Sequence, residues 1–75
     1  MGKLPVCSGR EAVAAFQRLG WTMARQSGSH MILVRAGMSV TLSVPAHREL
    51  DRGTLRALVR LAGATVDEFV DALDA

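Results

Sequence analysis

Residues 21–45 read WTMARQSGSHMILVRAGMSVTLSVP, and the way this stretch divides decides the fold. Val40, Leu42 and Val44 alternate with Thr41 and Ser43, the period-2 pattern of a half-buried strand. Pro45 ends that run, because proline has no N–H to give to a ladder. Upstream, His30 to Arg35 is an apolar, β-branched run, and Trp21 to Gln26 alternates Trp21, Met23 and Arg25 against Thr22, Ala24 and Gln26. Ser27-Gly28-Ser29 and Ala36-Gly37-Met38 separate the three runs. Connections this short join neighbouring antiparallel strands, so residues 21–44 predict a three-stranded meander.

Helical signals flank the meander on both sides. Ser8-Gly9-Arg10-Glu11 reads as a capping box, in which the Ser8 hydroxyl and the Glu11 carboxylate satisfy each other's backbone N–H groups. Ala12, Val13, Phe16 and Leu19 recur at helical spacing and Gly20 is a natural stop, giving a helix over about 9–19. Leu4-Pro5-Val6 before it reads as extended, with Val6 or Cys7 stapling the entry. Asp51 caps a second helix over about 52–62, with Leu55, Leu58, Val59 and Ala62 as its buried stripe and Gly63 closing it. Thr65-Val66-Asp67-Glu68 is a second capping box, opening a short last helix with Val66, Phe69, Val70 and Leu73 on one side. The order is α-β-β-β-α-α, an α+β class with helices on one face of a three-stranded antiparallel sheet and residues 1–75 as a single domain.

Length and composition narrow the function classes. A chain of 75 residues buries only about 60% of its unfolded surface, and its single cysteine, Cys7, offers neither a disulfide nor a spaced zinc set. That usage fits a reducing cytoplasm. No apolar run approaches the roughly 18 residues of a membrane span. No signal-peptide h-region follows the start, and Met1-Gly2 is followed by Val6 where a myristoylation signal needs Ser or Thr.

The net charge of +2 hides a strong asymmetry. All nine bases lie in residues 1–60 with Glu11, Glu49 and Asp51, a balance of +6, while Asp67, Glu68, Asp71 and Asp74 give residues 61–75 a balance of −4. Eight of the nine bases are arginine, the side chain whose fork matches a phosphate. A basic body with an acidic tail suggests a polyanionic partner for the body.

His30 stands where neither a turn nor a strand needs a histidine. Its face of the second strand continues through Ile32 and Val34, the other through Met31, Leu33 and Arg35, and both are apolar enough that alternation leaves the buried face open. His30 is then either a core histidine satisfied by backbone or a proton-transfer group beside a Gly turn that a phosphate can approach. Arg52, Arg56 and Arg60, at i, i+4 and i+8, form one helical stripe with no acid at i+4 to neutralise it. Such a stripe is either a solvated face or a set of phosphate contacts. Arg25 and Arg35 flank the His30 hairpin and extend the basic surface. His47-Arg48-Glu49-Leu50-Asp51 reads as a loop entering a helix, and with other ligands lacking it predicts no metal site. His47 is a loop residue or a second acid-base group. Ser27 and Ser29 have no local acid to orient His30 as a triad would, and no carboxylate pair suits two-metal chemistry.

Assembled, these segments resemble the HicA-like, or YcfA-like, toxin family over nearly the whole chain. KLPVCSGREAVAAFQRLGW resembles its opening, RQSGSHMILVR its Gly-Ser-His hairpin, VTLSVPAH its third strand, ELDRGTLRALVRLAG its Gly-Thr-Leu-Arg helix and TVDEFVDAL its closing helix. Where many relatives have lysine near the Gly-Ser-His turn and proline before Gly-Thr, this chain has Ser27 and Arg52. The resemblance implies a fold related to the double-stranded-RNA-binding domain and a metal-independent, cofactor-free ribonuclease that cleaves messenger RNA. It also implies a HicB-type antitoxin as protein partner. It places the catalytic histidine on His30, presented by Gly28 and Ser29, with arginines (Arg25, Arg35, Arg52, Arg56 and Arg60) as the expected RNA contacts. Two other readings stay open: a non-catalytic RNA-binding module on the same fold, and a protein-binding domain whose contact surface includes Met31 and Leu33.

Overall fold

The computed structural model describes residues 3–75, so the reading of the Met1-Gly2 opening lies outside the described residues. The elements run α1 (Gly9–Arg18), β1 (Thr22–Ser27), β2 (His30–Val34), β3 (Leu42–Pro45), α2 (Arg52–Leu61) and α3 (Val66–Asp74). This is the predicted α-β-β-β-α-α order, with a sheet of strand order β1-β2-β3 in which both pairs are antiparallel.

Local chemistry sets the helix starts. Both capping boxes form: Ser8 and Glu11 exchange hydrogen bonds of 2.8 and 3.1 Å, as do Thr65 and Glu68. The Asp51 carboxylate accepts from the Thr54 N–H at 3.2 Å. Cys7 rather than Val6 staples α1, since Cys7 is buried and Val6 is 58% exposed. Burial, and secondarily the Glu11 charge, raise the Cys7 thiol above its ordinary range, so it acts as a small core side chain and not a nucleophile.

The helices cover one face of the sheet. Met31 and Leu33 of β2 and Leu42 and Val44 of β3 are buried against them. Helix α1 packs on β1 and β3, α2 on β3, and α3 on α1 and α2. The Phe16 and Phe69 rings, 5.1 Å apart and tilted by 48°, join α1 to α3. A second tie runs from the Arg18 guanidinium, which donates to the Ala72 carbonyl at 2.7 Å and so satisfies the C-terminal end of α3. The Trp21 indole N–H, buried where α1 meets β1, has no acceptor among the described residues.

Two details of the sheet differ from simple alternation. A bulge between Met23 and Arg25 shifts the register, so that Met23 pairs with Leu33 on the covered face and Arg25 with Ile32 on the open one. Arg25 therefore does not share the face of Met23, as unbroken alternation predicts. Pro45 is itself the last residue of β3, opposite His30, so the run ends there with the proline inside the strand. The Ala46 N–H reaches the Ser29 carbonyl at 2.7 Å, which makes His30–Pro45 a pair without ladder bonds of its own. On that edge strand the missing proline N–H costs no hydrogen bond.

Candidate active site

One end of the sheet gathers most of the residues with chemistry. The β1–β2 connection is the two-residue loop Gly28-Ser29, with Ser27 already paired to His30. Only Gly28 has positive φ (+59°), the pattern of a turn that takes glycine at its first central position. His30 follows at once, on the central strand. Because Met31 and Leu33 point into the core, His30 faces outward and is exposed, and the core-histidine alternative is closed.

The other elements converge on the same end. Gly9, the first residue of α1, sits so close to β3 that an added Cβ would meet the Pro45 carbonyl oxygen. The Gly9 N–H donates to the His47 carbonyl at 2.9 Å, and the Leu50 N–H to the Cys7 carbonyl at 2.8 Å. These bonds pin the 46–50 loop to the start of α1 and deliver Asp51 and Arg52 to the start of α2. His30, the Gly28-Ser29 loop, His47, Arg48, Arg10 and Arg52 thus share one end of the molecule, and all are exposed.

The arginines named from the sequence fall into three groups. Arg25, exposed opposite Ile32, shares the open face with His30 as its diagonal neighbour on β1. Arg35 lies just beyond the far end of β2, where its guanidinium packs beside Gly20, so it does not join His30. Of the α2 stripe, Arg52 is at the His30 end, whereas Arg56 and Arg60 border a groove of about 250 Å³ with Val59, Ala64 and Val66, on the helical layer. Arg10 and Arg48 escaped the sequence reading, because only the two backbone bonds to the 46–50 loop bring them to His30. Among the described residues no three His, Cys, Asp or Glu side chains cluster as metal ligands would.

The two faces of β2 also decide which residues a protein contact could use. Met31 and Leu33 are 3% and 0% exposed and cannot form a surface, while Ile32 is half-buried and Val34 is 37% exposed beside them. The apolar surface of this strand is its His30 side. No helix among the described residues is long and apolar enough to cross a membrane.

None of the curated proteins matches the chain. A family model described as "HicA toxin of bacterial toxin-antitoxin" matches residues 9–64, from the first residue of α1 to the approach to α3. That span covers the Gly-Ser-His hairpin, the third strand and the whole of α2, which is well over half of the sequence, and the chain belongs to the HicA toxin family.

Proposed function

We propose that this toxin is a metal-independent, cofactor-free endoribonuclease that cleaves messenger RNA in the cytoplasm, with His30 as an acid-base group. The observation that carries the reading is an exposed histidine at the tip of the central strand, presented by a glycine turn and flanked by arginines, in a HicA family chain. RNA carries its own nucleophile in the 2′-hydroxyl, so the protein has to move protons and steady the charge that grows on the phosphorus centre. His30 transfers a proton at the 2′-hydroxyl or at the leaving 5′-oxygen. Arg25, with Arg10, Arg48 and Arg52 on the same end, neutralises phosphate. Gly28 and Ser29 let the backbone of the RNA approach. Arg35, Arg56 and Arg60 serve as outlying contacts for a longer strand.

The partner that restrains the toxin is a HicB-type antitoxin. Ile32 and Val34 give it an apolar footing on the face that carries His30, so covering that strand excludes RNA.

The test is induced expression in bacteria, wild type against His30→Ala, at equal soluble protein. The expected result is growth arrest with loss of messenger RNA for wild type alone. Equal arrest by both proteins would overturn the role of His30 and favour the second reading, a non-catalytic module that sequesters RNA.

A further inference from the structure

Cleavage by the 2′-oxygen needs two proton transfers on opposite sides of the phosphorus, and one histidine supplies one of them. The chain has a second histidine, and the fold brings it to the same end. Past the His30–Pro45 pair the ladder continues for one more bond, Ala46 N–H to Ser29 carbonyl. His47 is the next residue. Its carbonyl is held by the Gly9 N–H, so its main chain is fixed from the β2 side and from α1, while its side chain is exposed. His47 thus stands two residues beyond Pro45, the partner of His30, so the backbones of the two histidines sit at the same end of the sheet.

The alternatives at this end are fewer than they look. Glu11 and Asp51 are engaged as helix caps. Glu49 is exposed and could compete only for the base's role, whereas the reaction also needs an acid. Imidazole both takes and gives protons near neutrality.

Resting on the ribonuclease reading above, we infer that His47 is the second proton-transfer residue, working with His30 across the end of the sheet. One neutral imidazole takes the 2′-O–H proton as the O2′–P bond forms. The P–O5′ bond breaks, and the departing 5′-oxygen takes a proton from the other, protonated imidazole. The products are a 2′,3′-cyclic phosphate end and a 5′-hydroxyl end, and solvent exchange restores both histidines.

The test uses the purified full chain as wild type, His30→Ala and His47→Ala. The substrates are an RNA oligonucleotide that the wild type cleaves and the same RNA with sulfur replacing the 5′-oxygen at that bond. A thiolate leaves without a proton donor, so this substrate bypasses the general acid and nothing else. Each variant, with its melting temperature unchanged, is expected to lose about 100-fold or more on ordinary RNA. The sulfur substrate is expected to restore one variant and leave the other slow. Wild-type rates for His47→Ala, or a pattern in which sulfur does not restore one variant alone, would overturn the assignment. Failure of the wild type itself on every RNA offered would sink the ribonuclease reading instead.

Discussion

Met31 and Leu33 on one face of β2 are 3% and 0% exposed, whereas Ile32 and Val34, side chains of similar size on the other, remain half-buried and 37% exposed. The residues of the two faces differ little in hydrophobicity, so transfer free energy alone does not choose between them. What chooses is the amphipathic stripes of α1 and α2, which need an apolar floor and find it in Met31, Leu33, Leu42 and Val44. The uncovered face then collects what a packed core does not tolerate: His30, Arg25 and Ser43 beside the two apolar residues. One face holds the fold together and the other is left open.

Substitutions separate the two faces sharply. Leu33→Ala removes a fully buried side chain from the centre of the sheet, and we expect a loss of about 2–5 kcal/mol by urea denaturation. Val34→Thr, one residue on, is expected to stay within about 0.5 kcal/mol of wild type. Comparable losses from both would mean that the open face is covered too.

Gly9→Ala tests how the covered side holds the site in place. Alanine in a helix ordinarily gains roughly 0.5–1 kcal/mol over glycine. Here its Cβ collides with backbone at Pro45, which has no flexible end to yield, so we expect a net loss of about 1–3 kcal/mol. Because the same contact positions His47 and the end of β3, activity should fall further than stability does. A stabilised Gly9→Ala protein would show that the approach of α1 to β3 is looser than described.

The smallest effects should distinguish one end of the open face from the other. Arg25→Gln is expected to leave stability unchanged, weaken RNA binding and lower the salt dependence of binding by about 0.7, one phosphate's share on a single strand. Arg35→Gln, at the far end beside Gly20, should leave both quantities near wild type on an RNA too short to reach past the His30 end. Equal effects from the two would spread the RNA along the whole sheet and away from the histidine end.

Much of this was legible in the sequence because it is written locally. Ser8 with Glu11, Asp51, and Thr65 with Glu68 specify their helix starts within four residues, and all three form. The meander was legible from alternation and short turns. The inward face of β2 was not, because that depends on helices distant in the chain. The bulge at Met23–Arg25 was hidden as well: it adds one residue to β1 without a glycine or proline to mark it, and it is what puts Met23 on the covered face while Arg25 stays on the His30 face. The stripe of Arg52, Arg56 and Arg60 was real as a helical pattern but did not act as one group, since α3 packs beside its later part and makes a separate groove there. Arg10 and Arg48 carried no local signal, and a 2.9 Å backbone bond between Gly9 and His47 is what brings them in.

The most direct measurement of the central claim is cleavage of an RNA oligonucleotide by the purified protein in excess EDTA. Wild type is compared with His30→Ala, and the RNA with a copy carrying 2′-deoxyribose at the cleaved nucleotide. Our account predicts cleavage by wild type to a 2′,3′-cyclic phosphate, a loss of about 100-fold or more in His30→Ala, and none of the deoxy copy cut. Cleavage by His30→Ala at the wild-type rate, or cutting of the deoxy copy, would contradict it.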